Sequence, residues 1–244
     1  MNRNVNVQAI VLKARKDGDS NRNLTLLSVD EGIIEIRAFR SRTSKSAPKA
    51  YQFQEGMFFL YYNPVNKQYS LKDVQLISPH DGIKQNYEAI ISASIMVEFT
   101  MRTANDDMAN TYQLLARALD FLDDASFEKD VVVIQFLLRL IKEHGLIEDF
   151  KKCPVCGSTY KEKDILNFSH ELNVACCSNC EKIPTLILRP KARLYLSYTL
   201  GMSFEDALAV KLNESTRIRI KNYMITWATC IMNRPFNSLG SAIN

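Results

Sequence analysis

Cys153-Pro-Val-Cys156-Gly157 and Cys177-Ser-Asn-Cys180 are two C-x2-C pairs, with 20 residues between Cys156 and Cys177. A C-x2-C pair lets two thiolates of one tight turn grip a single metal ion, and two such pairs complete a tetrahedron. Gly157 suits a turn whose backbone takes positive φ. Four thiolates match the closed coordination of one structural zinc per chain. Iron accepts the same ligand set. Two disulfides would use the same cysteines, but disulfides belong to oxidising compartments. Four thiolates leave no open position, so such a metal holds a fold together and does not activate water. Cys176 and Cys230 are left over, and nothing near either in sequence would lower its pKa. Cys176 adjoins Cys177 and competes with it for the metal; the C-x2-C turn favours Cys177. His170, between the two pairs, is the only realistic candidate for a further ligand.

No other chemistry is visible. The chain has no GxxxxGK[ST] phosphate loop, no HExxH and no GxSxG. His80, His144 and His170 are scattered and read as packing or surface residues. Asp106-Asp107 and Asp123-Asp124 read as solvated helix ends. No catalytic constellation assembles, so an enzyme is not expected.

The chain that must position these cysteines has 244 residues, 46% hydrophobic and 24% charged. That composition fits a globular protein of one to three domains. No apolar run approaches the length of a bilayer, so no membrane partner is expected. The N-terminal stretch Met1–Gln8 lacks the apolar core of a signal peptide. A cytoplasmic location follows as the expectation, and there thiols stay reduced. The net charge of +4 is uneven. Residues 1–80 hold 12 Lys+Arg against 7 Asp+Glu, residues 81–150 hold 6 against 13, and residues 151–244 hold 13 against 7. Two basic ends flanking an acidic middle suggest nucleic acid as a partner.

Strand patterns fill the first 80 residues. Val5–Leu12 runs into a polar loop, Lys13–Asn23. Leu24–Val29 and Ile33–Phe39 flank Asp30-Glu31-Gly32, a hairpin signal. Met57–Tyr62 and Gln68–Ile77 form a second hairpin. Five short strands suit a small closed barrel of the OB type, which binds oligonucleotides by base stacking and phosphate contacts. From Ser78-Pro79 onward the period becomes helical, over Tyr87–Met101, Met108–Leu122 and Val131–Lys142. In Val131–Lys142 only Gln135, Arg139 and Lys142 form a polar stripe; a helix this apolar sits centrally in a bundle. Helical spacing returns over Ala192–Tyr198, Phe204–Lys211 and Ser215–Met232. The expected fold is therefore α+β and multidomain. An OB barrel occupies 1–79, an α-helical bundle 80–150 and 185–244, and a four-Cys zinc module 151–184.

Three cation groups are candidates for binding. Arg37, Arg40, Arg42, Lys45 and Lys49 cluster on the third strand and its linker without an acidic residue among them. Phe58, Phe59, Tyr61, Tyr62 and Tyr69 can supply stacking, although alternation sends about half of any strand inward. Arg189, Lys191 and Arg193, then Arg217, Arg219 and Lys221, extend a DNA path beyond the cysteines. Spacing of two does not align on one helix face, so only some of these reach one strand.

Order along the chain carries a resemblance. Ala9-Ile-Val-Leu-Lys-Ala-Arg-Lys-Asp-Gly-Asp-Ser-Asn-Arg-Asn-Leu-Thr-Leu-Leu-Ser resembles the opening strand, loop and second strand of the RecO family of bacterial recombination mediators. Gly32-Ile-Ile-Glu-Ile-Arg-Ala-Phe resembles that family's third strand, and a basic linker follows. Leu138-Arg-Leu-Ile-Lys-Glu-His-Gly-Leu leading into Cys153-Pro-Val-Cys156-Gly157 is similar to its passage from helical domain to metal site, and Phe168-Ser169 before Cys177 fits as well. One departure is that the Arg40–Ala50 linker has no Gly. The resemblance implies a nucleoid-associated, non-enzymatic protein of DNA repair that binds single- and double-stranded DNA and anneals complementary single strands. With RecR it would load RecA onto DNA coated with the single-strand-binding protein, SSB. It would also recognise the acidic C-terminal tail of SSB. A carboxylate beside a phenylalanine needs a cation next to an apolar pocket, and Arg139 with Lys142 on their apolar helix are the candidates. The barrel and knuckles alone also admit a zinc-ribbon protein acting on RNA or in transcription.

Overall fold

The computed structural model describes residues 3–104, 108–147 and 150–240, so Asp106 and Asp107 lie outside the described residues. The chain divides into two compact units, Met1–Ala93 with Thr100–Asp124, and Ser94–Phe99 with Ala125–Asn244.

In the first unit β1 (Asn4–Asp17), β2 (Asn21–Ser28), β3 (Gly32–Ala38), β4 (Glu55–Asn63) and β5 (Gln68–Ser78) close a barrel in the order β1-β2-β3-β5-β4. This is the OB-type barrel that the sequence predicts. Closure requires β1 to pair on both edges, with β2 and with β4, and a bulge between Val11 and Lys13 bends it from one partner to the other. β3 and β5 meet in parallel at Ile36↔Tyr69. Alternation buries Val7, Ala9 and Val11 of β1 with Leu24, Leu26, Ile36, Phe58 and Leu60. Gly56 lies where β4 and β5 shift register; a Cβ there would meet the Gln75 carbonyl oxygen at 2.7 Å. The polar loop expected at Lys13–Asn23 is shorter than its composition suggests. Lys13–Asp17 and Asn21–Asn23 pair as an exposed ribbon around Gly18, because backbone pairing does not require apolar side chains at an unburied hairpin tip.

The same unit holds α1 (Asp81–Gln85), α3 (Ala109–Asp123) and both ends of α2 (Tyr87–Arg102). Buried Tyr112 of α3 donates to Glu55 Oε1 at 2.6 Å. His80 is 2% exposed and takes a left-handed φ of 48°. Its ring joins the Phe53 carbonyl (2.7 Å) to the Asp120 carboxylate (3.0 Å).

The second unit is built on α4 (Lys129–Glu143), buried on nearly every side. It packs with α5 (Pro190–Leu200), α6 (Phe204–Ala209) and α7 (Glu214–Met232); α8 (Asn237–Gly240) follows. Between α4 and α5 lies the cysteine segment, with a sheet of order β7-β6-β8 made of β6 (Leu166–Ser169), β7 (Val174–Cys177) and β8 (Ile187–Leu188). No helix among the described residues is long and apolar enough to cross a membrane.

Candidate metal centre and nucleic-acid surface

Two tight turns bring the cysteines together. The Gly157 N–H donates to the Cys153 carbonyl at 2.9 Å with Gly157 at φ 72°, and the Cys180 N–H donates to the Cys177 carbonyl at 3.0 Å. Lys152 and Thr159 bridge behind the first turn, and β7 delivers Cys177 to the second. The four Sγ atoms all lie within 4.8 Å of one another. Cys153–Cys180 measures 3.8 Å, Cys156–Cys177 3.7 Å and Cys177–Cys180 3.5 Å. A tetrahedron with metal–sulfur bonds of about 2.3 Å has edges of about 3.8 Å. The cluster can therefore hold one metal ion. Burial pushes the Cys153 thiol up, but backbone N–H groups of Cys177, Cys156 and Val155 outweigh it and bring it down to about 6. Ser158 beside Cys156 holds that thiol below its ordinary value. Both shifts favour the thiolate, the form that ligates metal, whereas hydrogen bonds with Cys177 and Cys156 hold the Cys180 thiol above its ordinary value.

The other two thiols are set apart. Cys176 points to the opposite face of β7, is fully buried, and is pushed up to about 11 by that burial. Cys230 is also raised by burial. His170 lies with Cys230 (Nδ1 to Sγ 3.5 Å) and Thr185 (Nε2 to Oγ1 2.8 Å), outside the four-Cys cluster.

The barrel cations divide by environment. Arg37 Nε pairs with Asp17 at 2.7 Å and its guanidinium lies 5.1 Å from the Phe39 ring centroid. Arg40, Arg42 and Lys45 are exposed and Lys49 is half-buried. The linker lacks Gly, yet Arg40 itself turns the chain at φ 52°. Its N–H donates to Asn21 Oδ1 (3.0 Å), and the Arg42 N–H and Nη1 donate to the Ser20 (3.1 Å) and Gly18 (2.7 Å) carbonyls. These bonds set the linker's path across the β1–β2 hairpin tip. Register also aligns Arg15, Asn23 and Arg37 in one row across three strands. Nothing in the sequence alone points to Arg15, because only the pairing puts it in line with Arg37, with Asn23 of β2 between them. Of the expected stacking rings, Phe58 is buried, while Phe59, Tyr61, Tyr62 and Tyr69 are half-buried.

Cations after the metal cluster are drawn largely into the fold. Arg193 is 4% exposed; its guanidinium donates to the carbonyls of Phe150 (3.1 Å), Lys161 (2.7 Å) and Glu162 (3.1 Å) and lies over Tyr160. Arg217 pairs with Glu128 at 3.0 Å, and Lys221 with Asp130 at 2.5 Å. Arg189, Lys191 and Arg219 stay exposed and border one groove of about 670 Å³. On α4 the expected polar stripe is a seam against α5. Gln135 donates to Tyr195 Oη and Thr199 Oγ1, and Arg139 donates to the Met202 and Ser203 carbonyls beyond α5's end while covering Phe204. Lys142 is exposed.

Residues 84–240 match the family model described as Recombination protein O C terminal. That is more than half of the chain. The chain belongs to the RecO family. DNA repair protein RecO of Clostridium novyi (strain NT) is 21% identical over 214 residues, covering 86% of this chain and 82% of the relative. DNA repair protein RecO of Bifidobacterium animalis subsp. lactis (strain AD011) is 25% identical over 236 residues, covering 95% and 96%. The same-named protein of Caldanaerobacter subterraneus subsp. tengcongensis is 24% identical over 206 residues, covering 81% of each. These similarities run through barrel and helices alike, so RecO is matched across its length and not at the metal cluster alone.

Proposed function

We propose that this RecO-family chain is a non-enzymatic recombination mediator of bacterial DNA repair, acting in the cytoplasm at the nucleoid. It binds DNA, anneals complementary single strands and, with RecR, helps load RecA onto SSB-coated DNA. Family membership over most of the chain supports the role. The observation that carries the mechanism is the barrel's set of exposed cations, Arg15 on the β1–β2 ribbon and Arg40, Arg42 and Lys45 on the linker, whose Arg40 and Arg42 are bonded to the hairpin tip. Exposed cations neutralise phosphates without reading sequence, as annealing any complementary pair requires. Neutralising both strands lowers their mutual repulsion, so pairing is limited less by charge.

Zinc is the proposed metal, one per chain, held by Cys153, Cys156, Cys177 and Cys180. It would fix the β6–β7 hairpin and the segment that Arg193 clasps, with no catalytic part. Exposed Arg189, Lys191 and Arg219 are proposed as a second DNA contact. For the acidic SSB tail we retain α4, with Lys142 as the accessible cation. Arg139 acts there by fixing α5's end beside Phe204. The functional test is annealing of complementary oligonucleotides at moderate salt, bare and SSB-coated. Acceleration of both is expected; no acceleration of either would reject the reading.

A further inference from the structure

We propose that Phe39 is the base-stacking platform of the barrel, with Arg37 positioning its ring and Arg40 and Arg42 contacting the adjoining phosphates. This deepens the single-strand reading above and rests on it. Phe39 follows β3 directly and is 49% exposed. Its neighbour Ala38 is buried in the barrel core, so the chain's alternation turns Phe39 outward beside Arg37. The half of the ring that stays in water adds no burial to the fold.

The ring's surroundings are nevertheless ordered. The Arg37 guanidinium lies 5.1 Å from the ring centroid and is itself anchored at 2.7 Å by Asp17. The Asp17 carboxylate neutralises Arg37 and would repel a phosphate placed there. Arg37 is thereby better suited to hold a ring than to hold a strand. The next residue reverses the chain at φ 52°, and its N–H is fixed to Asn21 Oδ1 at 3.0 Å. Two residues on, Arg42 is fixed to the hairpin through Gly18 and Ser20. An open aromatic ring, with two exposed guanidinium side chains on the backbone beside it that make no ion pair among the described residues, is the combination that grips single strands: a base on the ring and its flanking phosphates on the cations. A duplex keeps its bases stacked internally and cannot use the ring, so Phe39 would also supply preference for single strands. The rings named from sequence lie on β4 and β5 and are buried or half-buried; Phe39 closes β3, on the β2–β3 side where OB barrels commonly take oligonucleotides.

The test separates base from phosphate. Binding of a labelled oligothymidylate and of an abasic deoxyribose-phosphate strand of equal length is measured by anisotropy across a salt series. Phe39→Ala should weaken oligothymidylate binding about tenfold, within the usual range for losing one stacked base, and leave abasic-strand binding and the salt slope unchanged. Phe39→Trp should restore affinity and add fluorescence that the bases quench. Equal loss on both strands, or no loss on either, overturns the proposal while the DNA reading stands. If the unaltered protein binds neither strand at low salt, the DNA reading falls and this proposal falls with it.

Discussion

Arg42 and Arg193 stand in the two basic ends of the chain, and both donate to backbone carbonyls. Arg42 makes one side-chain bond, to Gly18 at 2.7 Å, and remains exposed. Arg193 makes three and is 4% exposed. Residues 1–80 and 151–244 have nearly equal surplus positive charge, +5 and +6. In the barrel that charge sits on an exposed ribbon and linker. In the second unit much of it closes structure: Arg193 clasps the metal segment, and Arg217 and Lys221 hold α7 to the acidic start of α4. Net charge attracts a polyanion at long range, but only exposed and unpaired cations displace counterions from phosphate. On the proposed function, folding falls to one basic end and DNA contact mainly to the other.

The largest effect should come from the metal. Zinc in small four-ligand sites contributes on the order of 10 kcal/mol, inseparable from folding of the site. Cys180→Ser, or chelation, should abolish zinc content. It should also shift emission of the only tryptophan, Trp227, whose Nε1 donates to the Asn173 carbonyl at 2.8 Å in the β6–β7 hairpin. Metal analysis and fluorescence check this, and Cys230→Ser should change neither. Full zinc in Cys180→Ser would remove the four-thiolate assignment.

Arg193→Ala comes next. It strips three buried or half-buried carbonyls of a charged donor, a loss of roughly 2–4 kcal/mol. Denaturant unfolding should show that loss, while DNA affinity of the folded variant stays at the parent value. A folded Arg193→Ala protein with normal stability and weakened DNA binding would invert the comparison. Lys221→Ala should cost less, about 0.5–1 kcal/mol, because its pair with Asp130 is partly solvated. That loss should shrink in high salt.

The smallest effect is the pH response of the barrel unit. Burial opposes charge on His80, but the hydrogen bond to Asp120, the Phe53 carbonyl and the nearby Asp123 carboxylate outweigh it, so its pKa is raised above 6.5. A raised folded-state pKa means that the stabilisation is fully present below pH 6.5 and is lost as pH rises through the folded value. Thermal unfolding should show a modest fall in Tm across that window, and His80→Gln should flatten it. An unchanged slope in His80→Gln would show that the ring is neutral throughout.

The sequence conveyed local features well. Knuckle spacing, five strands and the apolar α4 are each written within short stretches, and the structure keeps all of them. It conveyed non-local polar pairing badly. Nothing in Arg193 or its neighbours shows that its partners are carbonyls of Phe150, Lys161 and Glu162, since any residue supplies a carbonyl. Arg139 reads from sequence as a peptide-binding cation because its partner Met202 lies 63 residues away. The same applies to α3, whose apolar stripe reads as a bundle face. In the structure its Tyr112 reaches Glu55 at the start of β4. Arg15 gains its place in the Arg15–Asn23–Arg37 row only from strand register, which composition does not show.

The most direct test compares the two basic ends in one assay, equilibrium binding to a single-stranded oligonucleotide across a salt series. Replacing Arg40 and Arg42 by Ala should weaken binding and flatten the log–log salt slope by about 1.4, at roughly 0.7 per phosphate contact. Replacing Arg217 and Lys221 by Ala should leave that slope unchanged in protein that remains folded and zinc-loaded. A slope that is lost with Arg217 and Lys221 and kept without Arg40 and Arg42 would contradict the account.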